Sequence, residues 1–460
     1  VNDDRRTGLL RAAVISGAPA SEFRGLPLPR THRAAVTRRT DVERASAIPP
    51  DERDLAEFLH VEEVPTPDPA PDEVLVAVAA SSINYNTVWS ATFTPVPTFA
   101  FLDRLAAEGG WSARHGGDRH VLGSDAAGIV IAVGELVRNW SVGDAVAVHG
   151  NWVSAEDPVL YGADAMRAPS QRAWGFETNF GGLADLALVK ASQLLPKAAH
   201  LTWDEVASTT LCNATAYRML VSPNGAPMRL GDRVLVWGAT GGIGSFAVQL
   251  ALAAGAEPIC VVGSAERAER LRRFGVHHVI DRRAEGYRFV DEAGDMVPSE
   301  VDRFARRVRD LAGGGVDIVF EHPGRETMPA SIAACRRGGK VVTCAATTGH
   351  RITLHPSMTD DSVDVIGSHF ANYDENWRAN ELLRRGIVQP TLTVTERLDD
   401  VAAAAAIVRE GAFDGKVGIA CLAPAGSGVT DQELRARIGE ERIRGFELAG
   451  VSRPPRCPPP

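Results

Sequence analysis

The chain has 460 residues, enough for two domains or more, and a 45% hydrophobic content normal for packed globular structure. Its formal net charge of −9 argues against nonspecific binding to nucleic acid or an anionic membrane, while leaving room for a local basic pocket. No window is long and apolar enough to span a bilayer, the opening Val1-Asn-Asp-Asp-Arg-Arg is too charged for a secretory signal, and the six cysteines form no regular framework; the expectation is a reducing, cytoplasmic setting.

In chain order, Gly8–Ser16 reads as a short amphipathic helix and Arg33–Thr37 as a short strand. The runs 60–65, 73–79, 125–133 and 142–148 then alternate with Pro, Gly and Asp turns, which predicts a β-barrel-like domain. A long polar segment follows between His149 and Thr178 and passes into Trp174-Gly-Phe-Glu-Thr-Asn-Phe-Gly-Gly182. Segments of that length inside a domain are functional or disordered. A helix is expected over 203–220.

Next comes Val234-Leu-Val-Trp-Gly-Ala-Thr-Gly-Gly-Ile-Gly244, an apolar run that breaks into glycines and enters the helical pattern 245–254. It reads as strand, phosphate loop and helix. Gly238 and Gly241 permit a tight turn and a close approach of backbone to pyrophosphate, while Gly244 lets helix pack on strand. A second strand at 258–262 follows at the spacing of a βαβ unit, so the loop Gly238, Ala239, Thr240, Gly241, Gly242, Ile243 and Gly244 is expected to hold a dinucleotide. That strand ends Val262-Gly-Ser264 with no acidic residue for a ribose hydroxyl, and Arg267 follows within reach of a 2′-phosphate, which favours NADPH over NADH. Strands at 278–281, 316–320 and 340–345 alternate with helices at 301–311 and 328–336, the mark of a parallel sheet covered on both faces. His322 and Glu321, at the end of one such strand, line the nicotinamide or serve the loop. After Gly349 regularity lapses until 365–373; helices at 377–385 and 401–410 and a strand at 416–420 then close the first domain, and the tail 453–460 is proline-rich.

An N-terminal β domain, an inserted nucleotide domain and a C-terminal return resemble the medium-chain dehydrogenase/reductase superfamily. Glu63-Val-Pro, Glu73-Val-Leu-Val, Ile83-Asn84, Val142-Gly-Asp144 and the glycine loop carry that resemblance. It implies an α/β architecture, a GroES-like β-barrel catalytic domain plus a doubly wound Rossmann domain, divided as 1–214, 215–363 and 364–460. Zinc members place a Cys after the strand that here begins at Val74, and a Gly-His-Glu where this chain has Gly123-Ser-Asp125; no zinc ligand set is expected. Three further runs, Ile83-Asn-Tyr-Asn-Thr-Val-Trp89, Trp174–Gly182 and Gly367-Ser-His-Phe-Ala-Asn-Tyr373, together with Phe320–Thr327 and Glu285-Gly-Tyr-Arg-Phe289, are similar to the crotonyl-CoA carboxylase/reductases. What this implies is hydride transfer from NADPH to a 2-enoyl-CoA and capture of carbon dioxide at the α-carbon, giving an alkylmalonyl-CoA, without biotin. The carbon dioxide pocket of that family maps to Asn86, Phe176, Glu177 and His369.

These residue types suit that chemistry. Carbon dioxide is uncharged, so its placement matters most, and an amide donor such as Asn86 polarises one oxygen. Phe176 excludes water, while Glu177 and His369 hold an ordered water between them. Taken singly, Asn86 also reads as a turn residue, Glu177 as a cap and His369 as a core histidine. Competing readings are a non-carboxylating enoyl-thioester or quinone reductase and a non-catalytic NADPH-binding protein. Where family members carry an aromatic and basic run, this chain has 350–365 with Asp360 and Asp361, which leaves acyl preference open and admits a role in supplying polyketide extender units. The family habit implies a homo-oligomer, a dimer of dimers.

Overall fold

In the computed structural model, which describes residues 3–448 apart from 163, 293, 345, 350 and 355–359, the first helix begins earlier than its apolar pattern suggests and spans Asp3–Ser16. Two units emerge. One runs to Tyr217 and includes Phe370–Arg437; the other comprises Arg218–His369 and the chain from Ile438.

In the first unit, β1 (Thr31–Arg38) pairs antiparallel with β2 (His60–Pro65). β3 (Glu73–Ser82) is buried at every position, as expected of a Val-rich run covered on both faces. β4 (Arg119–Val121) takes the other edge of β1. β5 (Ala126–Val133) and β6 (Ala145–Val148) extend the sheet from β3. The long segment after His149 is ordered rather than irregular: β7 (Asn151–Trp152) pairs with β8 (Arg172–Ala173), and Asp157 and Asp164 each cap a short turn between them. β9 (Leu186–Lys190) lies on β3, and β10 (Leu194–Pro196) on β6. Val74, Val76, Val78, Val130, Val146 and Trp174 share one core. The helix expected over 203–220 is two, Trp203–Ala207 and Thr210–Leu220. The hydroxyls of Ser208 and Thr209 donate to the Glu205 and Val206 carbonyls at the break, the local competition such residues offer the helix. Helices at Tyr85–Ala91 and Phe99–Ala106 have no counterpart in the sequence reading.

The second unit is a six-stranded parallel sheet. β11 (Arg233–Trp237), β12 (Glu257–Val262), β13 (His278–Asp281), β14 (Val316–Glu321), β15 (Cys335–Thr343) and β16 (Asp364–Gly367) take the order β13-β12-β11-β14-β15-β16. The winding of the sheet reverses between β11 and β14, with β12 and β13 on one side and β14 to β16 on the other, and the carboxyl ends at such a switch point are where doubly wound sheets bind their ligands. The helix expected over 328–336 stops at Ala334, because Cys335 already pairs with Val316 of β14. The end of the strand expected at 340–345, parts of the divergent segment 350–365 and the tail 453–460 lie outside the described residues. Tyr287 and Phe289 pack on Phe304, and Trp237 stacks on Phe304 at 4.9 Å between ring centroids, which gives the Glu285–Phe289 run a core role. The final short helices pack on this unit: Phe446 meets Phe274 edge to face, with the Arg270 guanidinium over its ring.

The return to the first unit opens with the helix Tyr373–Arg384, started by a reciprocal cap between Asn372 and Glu375. β17 (Leu392–Arg397) and β18 (Lys416–Ala420) form a parallel pair, and β18 docks antiparallel on β3 with Gly418 opposite Ser82, completing the order β10-β6-β5-β3-β18-β17.

Candidate functional site

The glycine loop at the end of β11 is built almost wholly of backbone. Gly238 takes φ +55°, and a Cβ there would lie 2.6 Å from Nε2 of His322, whose ring nitrogen sits 3.0 Å from the Trp237 carbonyl. A Cβ on Gly244 would lie 2.3 Å from the Gly238 carbonyl oxygen, so only glycine lets the helix Gly242–Ala253 come so close. Gly241 stands at its N-cap with an ordinary φ of −78° and no side-chain cap, which leaves the first-turn amides of Gly242, Ile243 and Gly244 as donors for an anion. Ala239 and Thr240 are buried beneath the turn. At the end of β12, Ser264 caps the helix Ala265–Arg273 by accepting from the Arg267 amide at 3.3 Å, and its hydroxyl proton remains to be donated. The sequence reading missed Arg283, whose side chain lies 3.5 Å from the Cβ position of Gly263; the signal was the Arg282-Arg283 pair just after β13. These residues fit a 2′-phosphorylated dinucleotide.

Beside the loop, Glu321 is fully buried and serves the loop internally: it accepts from the Gly324 amide at 2.9 Å, the Thr327 hydroxyl at 2.8 Å and the Ser331 hydroxyl. Burial raises its pKa to about 7 despite those donors. Burial lowers His322 to about 4, so its imidazole is neutral.

In the first unit a second constellation surrounds the Ile83–Asn86 turn. Asp125 and Lys416 form an ion pair at 3.2 Å with side chains 0% and 2% exposed. The ammonium donates to Asp125, to the Ile83 carbonyl at 3.0 Å and to Oδ1 of Asn84 at 2.6 Å, using all three donors. Asp125 accepts in addition from Ser82, Asn84, Thr210 and the Leu211 amide. Every charge and lone pair is met, the condition under which a buried pair is tolerated. Sequence reasoning flagged Gly123-Ser-Asp125 only for lacking zinc ligands and passed over Lys416, a lone cation opening an apolar strand. Among the described residues no group of three His, Cys, Asp or Glu is placed to hold a metal ion.

Asn86 lies one residue into the helix Tyr85–Ala91 and is 9% exposed. Its Nδ2 donates to Ser124 Oγ at 2.7 Å, and Ser124 donates to the Trp174 carbonyl at 2.8 Å; Oδ1 of Asn86 is buried with no partner. Trp174 is clamped by its own indole N–H to the Leu188 carbonyl at 3.0 Å, and Gly175 turns with φ +67°. Phe176 is half-buried, its ring 5.8 Å from that of Phe101. Glu177, also half-buried, accepts from the Ala173 amide at 2.7 Å through one oxygen, and desolvation raises its pKa against the pull of that bond and of Arg172 and Arg104. Asn86, Phe176 and Glu177 are thus tied together through Ser124 and Trp174. His369 is the last residue of the second unit before the chain re-enters the first; desolvation, then the charge of Arg218, lowers its pKa. Phe370, next in the chain at φ +47°, lays its ring against Gly150 in the first unit.

Residues 70–199 match the alcohol dehydrogenase GroES-like domain family and residues 242–385 the zinc-binding dehydrogenase family. The chain is 47% identical over 432 residues to a crotonyl-CoA reductase of Streptomyces collinus, covering 93% of this chain and 96% of that protein. It is 38% identical over 343 residues to a crotonyl-CoA carboxylase/reductase of Cereibacter sphaeroides, covering 73% and 77%. Among solved structures it is similar to the 2-octenoyl-CoA carboxylase reductase CinF in complex with NADP and 2-octenoyl-CoA, with a TM-score of 0.91, 46% identity and coverage of 95% of this chain and 98% of that one.

Proposed function

The chain belongs to the crotonyl-CoA carboxylase/reductase family of medium-chain dehydrogenases/reductases, and from that membership we propose that it is an NADPH-dependent reductive carboxylase of 2-enoyl-CoA thioesters. The glycine loop, Ser264, Arg267 and Arg283 would hold the cofactor, the two arginines supplying charge-assisted donors for a 2′-phosphate. Bound there, the cofactor supplies a hydride to the β-carbon of the enoyl thioester and leaves an enolate at the α-carbon.

The first unit's residues govern what that enolate meets. Asn86 donates to a carbon dioxide oxygen, Phe176 walls off bulk water, and Glu177 with His369 orients one ordered water, so that the α-carbon attacks carbon dioxide before a proton arrives. The product is an alkylmalonyl-CoA. The observation that carries this reading is the buried Asn86 amide, which spends one N–H of Nδ2 on Ser124 and leaves the other for a carbon dioxide oxygen, while Oδ1, with no protein partner, remains to accept from a water. We place the enzyme in the cytoplasm as a dimer of dimers, which sedimentation of the purified protein tests.

The decisive measurement is the ratio of alkylmalonyl to saturated thioester, by mass spectrometry, at fixed carbon dioxide. Asn86→Leu lowers it most, and Glu177→Ala and His369→Ala lower it as well; a tenfold fall corresponds to about 1.4 kcal/mol between the two competing barriers. Equal loss of reduction and carboxylation in all three variants would assign these residues to hydride transfer or to structure, leaving a plain enoyl reductase.

A further inference from the structure

We infer that Ser124 is a positioning residue for carboxylation: its hydroxyl sets which end of the Asn86 amide faces the reaction and couples that amide to the loop bearing Phe176 and Glu177. The inference rests on the function proposed above.

The argument is one of proton bookkeeping. Ser124 is 1% exposed and makes two side-chain contacts, with the Trp174 carbonyl at 2.8 Å and with Asn86 at 2.7 Å. A carbonyl can only accept, so the single hydroxyl proton goes to Trp174. Ser124 Oγ then has only lone pairs to offer, and the atom of Asn86 that meets it must be Nδ2. An amide flip would set Oδ1 against Oγ, two acceptors with no proton between them. Ser124 therefore fixes the polarity of Asn86, directing its carbonyl away from Ser124 and leaving the second N–H as the donor for carbon dioxide. Through Trp174 the same hydroxyl fixes the start of the loop that carries Phe176 and Glu177 two and three residues later. The neighbouring Asp125 grips Asn84 at 2.7 Å, so successive side chains of Gly123-Ser-Asp125 hold both asparagines of Asn84-Tyr-Asn86. The position at which zinc relatives carry a metal-binding histidine is thus given over to orienting an amide.

The test is a double-mutant cycle on product partition, with thermal unfolding recorded for each protein. Ser124→Ala removes the acceptor for Nδ2 and the donor to Trp174, and is expected to lower the alkylmalonyl-to-saturated ratio about tenfold. In an Asn86→Leu background the same change is expected to move the ratio by less than about twofold, since there is no amide left to orient or to couple to the loop and only the tie to Trp174 remains to be lost. Ser124→Cys, a weaker partner of similar shape, is expected to fall between serine and alanine, and replaces alanine in the cycle if that variant lacks a cooperative unfolding transition. A ratio lowered by Asn86→Leu but unmoved by Ser124→Ala or Ser124→Cys overturns the inference while the carboxylation pocket stands, as does an equal effect of the serine change in both backgrounds. A ratio unmoved by Asn86→Leu itself overturns the pocket reading, and the inference with it.

Discussion

The glycine loop and the asparagine turn hold their functional groups by opposite means. Gly238 to Gly244 make their site from backbone amides and from the absence of side chains, and the atoms that shape it are mostly near neighbours in sequence. The asparagine turn is made of side chains whose partners lie 38 residues away for Asn86, 41 and 332 for Asn84, and a further 50 from Ser124 to Trp174. A site of the first kind is a local pattern and survives as one. A site of the second kind exists only once distant segments have met, and it depends on each of them.

The largest effect that separates the two is expected from Lys416→Met, which strands Asp125 in the core without its cation. It should cost about 3–5 kcal/mol in denaturant unfolding of the first unit, and Asp125→Asn in the same protein should recover part of the loss. A cost near that of a surface change would mean the network is ornamental.

Glu321, which holds the 324–331 turn beside the glycine loop, is tested through pH. Its carboxyl pKa is raised in the fold to about 7, from an ordinary 4.5, so the folded state holds the proton more tightly. The stabilising contribution is complete below about pH 4.5 and is lost as pH rises to about 7, by up to about 3 kcal/mol. Glu321→Gln should flatten that slope in melting temperatures recorded across the window.

Arg267→Glu and Arg283→Glu should each weaken NADPH use by about 1.5–3 kcal/mol in kcat/KM while sparing NADH, the loss of one charge-assisted bond to a dianion. Smallest and most local is the contrast between two glycines. Gly244→Ala drives a Cβ to 2.3 Å from a backbone oxygen, a typical overpacking cost of about 1–3 kcal/mol expressed in NADPH binding. Gly241→Ala meets the same oxygen at 3.3 Å with an ordinary φ and should be milder. Equal losses would show that the loop is not held by close packing.

The same distinction explains how much the sequence disclosed. The βαβ frame, the alternation through β15 and the three structural glycines were all readable, because period and glycine spacing are local. Asn86, Phe176, Glu177 and His369 entered only by resemblance, since nothing in a lone asparagine or histidine announces a ligand. Ser124, Lys416 and Arg283 were passed over, as each gains meaning from a partner elsewhere in the chain. The helix break after Ala207 was missed for a different reason: apolar periodicity runs on through Ser208 and Thr209, and only their hydroxyls interrupt the backbone ladder.

The docking of β18 on β3 also sets an order of events during synthesis. Ala80, Ser81 and Ser82 pair with Ala420, Ile419 and Gly418, so their outer edge stays open until the strand from Lys416 has left the ribosome. Over that interval the whole nucleotide-fold sheet is made and free to fold, its six strands complete by Gly367. The nascent first unit meanwhile exposes an unpaired edge at the buried end of β3 and an aspartate awaiting its lysine. Chains that stop short of residue 416 should therefore aggregate through the first unit, although the parallel sheet is already complete.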